Sequence, residues 1–131
     1  MEAAAQAFAT IAFLLTSLSH IAAPKAWAEF FIRMAEQGRA GSLANGFVHL
    51  PIGIMVVAFH PVWSGPGIGL TLIGWALLLK STIYFTFTDW GAAQLRRRVS
   101  LERAWEFRVA GIAAIPLGLY CGWLSFGAPW I

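Results

Sequence analysis

Hydrophobic positions along this chain fall into four long blocks without polar alternation, a pattern that predicts helices crossing a bilayer rather than strands or a soluble core. The first runs from Ala3 to Ala22, alanine-rich with Phe8, Ile11, Phe13, Leu14 and Leu15, and Pro24 closes it. Its length matches the ~20 residues that a ~30 Å hydrocarbon layer requires. The second block spans Gly41 to Phe59, the third Ile68 to Phe87 and the fourth Phe107 to Phe126. Pro51, inside the second, removes a backbone hydrogen bond and predicts a bend just after His49.

Between the blocks the pattern changes. From Lys25 to Arg39, the residues Trp27, Phe30, Phe31 and Met34 recur at helical spacing, with Lys25, Glu29, Arg33 and Glu36 around the rest. This predicts a short amphipathic helix in the headgroup layer, its aromatic side in lipid. His60 to Gly67 is a tight turn by its proline and glycine content, and Thr88 to Glu106 is a polar connection. The expected fold is an all-α membrane protein, one domain over residues 1–131. Four transmembrane helices form a small bundle, with the interfacial helix between the first and second.

Composition strengthens this picture. Hydrophobic residues make up 59% of the chain and charged ones only 11%, and the charges are absent from Ala3 to Ala23, from Ala40 to Leu79 and from Val109 to Ile131. A soluble fold this small has no interior large enough to hide such stretches. The first block carries Glu2 and lacks the positive leader of a signal peptide, so it is expected to stay in the mature chain.

Charge adds an orientation. Apart from Lys80, every lysine and arginine (Lys25, Arg33, Arg39, Arg96, Arg97, Arg98, Arg103 and Arg108) lies beside the first or the third connection. The positive-inside bias places both connections in the cytoplasm and both chain termini on the non-cytoplasmic side of what is expected to be a bacterial inner membrane. Arg96, Arg97 and Arg98 then face anionic lipid. Trp27, Trp63, Trp90, Trp105 and Trp130 all fall near span ends, as an interfacial aromatic belt requires. No basic run is interleaved with stacking aromatics, so nucleic acid is not an expected partner.

The candidate chemistry centres on Lys80, because an ammonium inside a span costs about 3 kcal/mol on insertion scales unless it reaches the headgroups or finds a partner. Folding the second and third spans back on each other about the Trp63 to Gly65 turn brings His49 and Lys80 to one depth, with Asn45, Thr82 and Thr86 on the basic side of that level. His49, Lys80, Asn45 and Thr82 are therefore the candidate ligand-binding residues, and the uncancelled positive charge favours anions.

His49 and His60 lie about 16 Å apart on nearly one helix face, a spacing that could suit haem, but only His20 is left as an opposing ligand. No cofactor or metal site is expected. A lone Cys121 excludes an internal disulfide, and no catalytic constellation appears.

Ala110, Ala114, Gly118 and Gly122 recur every four residues and form a smooth stripe that lets helix backbones approach closely. The expectation is a non-enzymatic protein that works by packing. Its partners are the bilayer and either other membrane subunits or copies of itself. The alternative is an anion-leaning transporter or channel built on the His49 and Lys80 level.

Overall fold

A computed structural model describes residues 1–127, and Trp130 lies outside them. The described chain is all-helical, with α1 (Glu2–Ala22), α2 (Pro24–Glu36), α3 (Arg39–Phe59), α4 (Ile68–Thr86), α5 (Thr88–Arg98) and α6 (Trp105–Phe126). Four helical segments, α1, α3, α4 and α6, are long and apolar enough to cross a membrane, and the protein is an integral membrane protein on that ground. The span boundaries fall within about two residues of those read from hydropathy.

The breaks between helices have local causes. The residue before a proline is driven out of the α region, and Ala23 sits at φ −130°. Pro24 then occupies the first turn of α2, where its missing N–H costs nothing. Gly38, at φ 61°, turns the chain from α2 into α3 through backbone space that favours glycine. Pro51 lies inside α3, which continues as one helical segment on both sides of it. The polar connection after α4 is largely helical as α5, followed by a short 3₁₀ turn at Leu101–Arg103.

Most of the residues with least exposure are small, among them Ala5, Ala9, Ser17, Ser42 and Ser81, whereas Leu15, Phe47, Ile54, Leu79, Ile112 and Leu119 point outward. In water such a surface would aggregate; in lipid, where helices associate by fit, small residues belong between them. α1 packs chiefly along α6 and α3 along α4, and α1 touching α3 joins the two pairs. The α3–α4 crossing is close: a side-chain carbon at Gly53 would lie 2.9 Å from the Leu78 backbone nitrogen.

Two apolar clusters close the structure at opposite ends. Ala9, Val56, Leu70, Cys121 and Leu124 form one at the end of the α3–α4 turn, with Phe13, Ile52, Leu117 and Tyr120 around them. Met34, Ala35 and Leu95 form the other at the basic end, joined by Phe31, Ala44 and Tyr84.

That second cluster narrows the reading of α2. Part of its apolar side packs on protein: Met34 is buried, Phe31 stacks on Phe107 at 5.5 Å and Trp27 on His20 at 4.2 Å. Trp27 and Phe31 are half-buried and Phe30 is exposed. α2 packs against α3, α5 and α6, and those helices cover part of the side that sequence periodicity assigns to lipid.

Candidate functional site

His49 of α3 and Lys80 of α4 meet. The Lys80 Nζ lies 3.0 Å from His49 Nε2, and His49 Nδ1 lies 3.0 Å from the carbonyl oxygen of Asn45, one turn earlier in the same helix. A carbonyl only accepts, so Nδ1 carries the hydrogen and Nε2 offers a lone pair to the ammonium. This fixes the neutral tautomer of His49 and leaves Lys80 two free N–H donors.

Both residues line a cavity of about 380 Å³ at the basic end. Arg98, from the last turn of α5, and Arg103 and Glu106, from the approach to α6, line it too. Arg103 Nε is 2.7 Å from Glu106 Oε1, so the one carboxylate in the wall is already engaged. The described ion pairs are Arg103–Glu106 and Arg39–Asp89, and neither includes Lys80 or Arg98. Two cations thus face one space without an opposing charge, a repulsion that a bound anion would relieve. Asn45, 2% exposed, also lines the cavity, and its Oδ1 is buried without a hydrogen-bond partner. Such an atom costs about 1–3 kcal/mol until a donor meets it.

Of the four candidate ligand-binding residues the structure brings together three. Thr82 is two positions beyond Lys80, about 200° around α4, and its hydroxyl donates to the Leu78 carbonyl of its own helix at 2.9 Å. Arg96 and Arg97 are exposed at the end of α5, but Arg98 lines the cavity rather than facing only lipid. A signal for this existed: Gly91 and Leu95 are buried, and Arg98 continues their stripe at helical spacing. Gln94 and Tyr84, also in the wall, carried no such signal.

The small-residue stripe of α6 is divided. Gly118 is buried against Leu14 of α1, Gly122 faces Thr10 of α1, and Ala114 is half-buried. Ala110 is exposed at the cavity, and the neighbouring Gly111 makes the close approach to α1 instead, against Ser17 and His20. A period of four residues drifts about 40° per repeat around a 3.6-residue helix, so the stripe leaves the α1 contact at its basic end.

At the opposite end His60 is fully buried. Its Nε2 is 3.0 Å from Gln6 Nε2 of α1, and its Nδ1 is 3.1 Å from Thr71 Oγ1 of α4. The Thr71 hydroxyl donates to the carbonyls of Val62 and His60 at 2.7 and 2.9 Å, so it accepts from Nδ1–H while Gln6 donates to Nε2. Three elements are tied together by one neutral ring. His20 stands apart, stacked on Trp27 with Nδ1 2.7 Å from the Thr16 carbonyl oxygen.

Compared with known families, curated proteins and solved structures, the chain matches none.

Proposed function

We propose that this is a non-enzymatic membrane protein that binds a small anionic group in the cavity at its basic end. The carrying observation is the Lys80 ammonium, held by neutral His49 beside Arg98, which has no ion-pair partner among the described residues, in a space whose one described carboxylate is paired with Arg103. The closed cluster around Val56 and Leu70 lies between this cavity and the far side, which favours a binding pocket over an open channel. Self-assembly through the α6 stripe has less support, because Gly118 and Gly122 are occupied by α1 of the same chain.

In this reading the four spans form a small bundle, α2 lies at headgroup level, and the cavity opens toward the cytoplasm. The basic residues flanking α2 and α5 carry that orientation through the positive-inside bias. Single cysteines at Ser64 and Glu102, in a Cys121→Ala background, should react oppositely with an impermeant maleimide in intact cells: Ser64 labelled, Glu102 protected. The reverse pattern would invert the orientation.

The binding reading is tested by titrating purified protein in neutral detergent with glycerol 3-phosphate. Lys80→Met should weaken binding at least tenfold, the loss of one charge-assisted contact of about 1.5–3 kcal/mol, and Arg98→Gln somewhat less. His49→Ala should fall between wild type and Lys80→Met, since it frees the ammonium to reorient. Wild-type protein indifferent to the ligand, or a Lys80→Met protein that binds as well, would remove the proposal.

A further inference from the structure

Helices α4 and α6 meet at one end and part at the other. At the α3–α4 turn, the Tyr120 hydroxyl donates to the Pro66 carbonyl and its ring edge lies against Gly69. They make no extended contact along their lengths, unlike the α1–α6 and α3–α4 pairs. At about 100° per residue, Gly69 shares one face of α4 with Ala76 and Lys80, and Tyr120 shares one face of α6 with Leu117, Ala113 and Ala110. Leu117 and Tyr120 pack against the apolar cluster and close the seam there. Ala76, Ala113 and Ala110 are all exposed, and their small side chains leave the other half open. From Lys80 to Gly69 the seam runs eleven residues, about 16 Å along the helix. Lys80 and Ala110 both line the cationic cavity, so the seam begins there.

We propose that this seam is a cleft with apolar walls opening from the cavity, and that its occupant is a membrane lipid with a phosphate-monoester head, of the phosphatidate class, with one acyl chain in the α4–α6 cleft. This rests on the anion reading of the cavity and adds the tail and the identity of the head. Lys80 and Arg98 supply donors and positive charge to the anionic oxygens. The buried Asn45 Oδ1, which lacks a partner, needs a donor. A singly protonated phosphate monoester provides both, anionic oxygens and one P–O–H, whereas an ionised carboxylate and the phosphate of a diester have no hydrogen of their own to give. The cleft opens sideways at the depth of the acyl region, so the chain slides in from the leaflet while the head enters at its own level. A second acyl chain stays in the bilayer.

The test uses the whole protein in phosphatidylcholine nanodiscs doped with phosphatidate, phosphatidylmethanol (a diester whose head carries no hydroxyl) or oleate, with retained lipid counted by native mass spectrometry. Phosphatidate should be retained at least tenfold over each of the others, one per chain, and Lys80→Met should abolish the preference. Ala113→Trp fills the cleft and should remove phosphatidate retention while leaving glycerol 3-phosphate titration within about twofold. Ala76→Trp does the same from the α4 wall and decides the matter if Ala113→Trp fails to fold. If glycerol 3-phosphate binds but neither tryptophan affects phosphatidate retention, the cleft proposal falls and the cavity reading stands. Equal retention of phosphatidylmethanol or oleate overturns the assignment of the head. If neither the soluble nor the lipid phosphate binds, both readings fall together.

Discussion

A leucine at Gly53 should separate α3 from α4 and silence the site at once. A β-carbon there meets the Leu78 backbone at 2.9 and 3.2 Å and the Gly74 carbonyl oxygen at 3.4 Å, so accommodation requires helix movement rather than a rotamer change. Overpacking of this kind costs about 2–3 kcal/mol. Gly53 is one turn from His49, and Leu78 is two residues from Lys80, so the same movement pulls the 3.0 Å contact apart. The thermal midpoint in detergent should fall and glycerol 3-phosphate affinity should drop at least tenfold. Gly122→Ala is the control, because its added carbon meets the Thr10 methyl at 3.3 Å, a side chain that can give way. A Gly53→Leu protein with an unchanged midpoint would refute the close α3–α4 crossing.

Truncating His60 should be at least as damaging to stability without touching anion binding. His60→Ala leaves a void at a fully buried position and strips partners from Gln6 and Thr71, a combined loss of about 2–4 kcal/mol. Burial holds the His60 ring below the usual histidine range, with the Glu2 carboxylate pulling weakly the other way. The unfolded chain therefore takes up a proton more readily than the folded one. The His60 contribution is complete above about pH 6.5, the unperturbed value, and is lost as pH falls from there toward the folded pKa. Thermal midpoints measured between pH 8 and 5 should decline for the wild type and flatten for His60→Gln, which keeps hydrogen bonding but cannot titrate. A slope that His60→Gln leaves unchanged would assign the pH response to another group.

What the sequence made legible depended on how local the information was. The four spans were readable because hydropathy over about twenty residues needs no knowledge of neighbours. The meeting of His49 and Lys80 was readable in depth, since a tight turn fixes the register of a helical hairpin. The facing direction of each helix was not. Thr82 lies close to the same depth as Lys80 but on the far side of α4, and periodicity in so apolar a helix has no polar face to mark which side is which. The Gln6–His60–Thr71 network was hidden for a related reason: Gln6 and His60 are far apart in the chain, and pairing them requires the rotation of α1. α2 was legible in part. Its amphipathicity was real, but an apolar stripe does not say whether lipid or protein covers it.

The pairing of the first helix with the last sets an order of events during synthesis. α3 and α4 are neighbours in sequence and can join as soon as both have left the translocon, at little loop-closure cost. α1 finds most of its contacts on α6, and residues 23–104, more than half of the chain, lie between them. Until Trp105 to Phe126 has been made, α1 has only its smaller contacts with α2 and α3 and the Gln6–His60 bond to hold it. A nascent chain stopped before Trp105 would hold a finished hairpin beside a helix lacking its main partner, the form that membrane quality control is suited to remove.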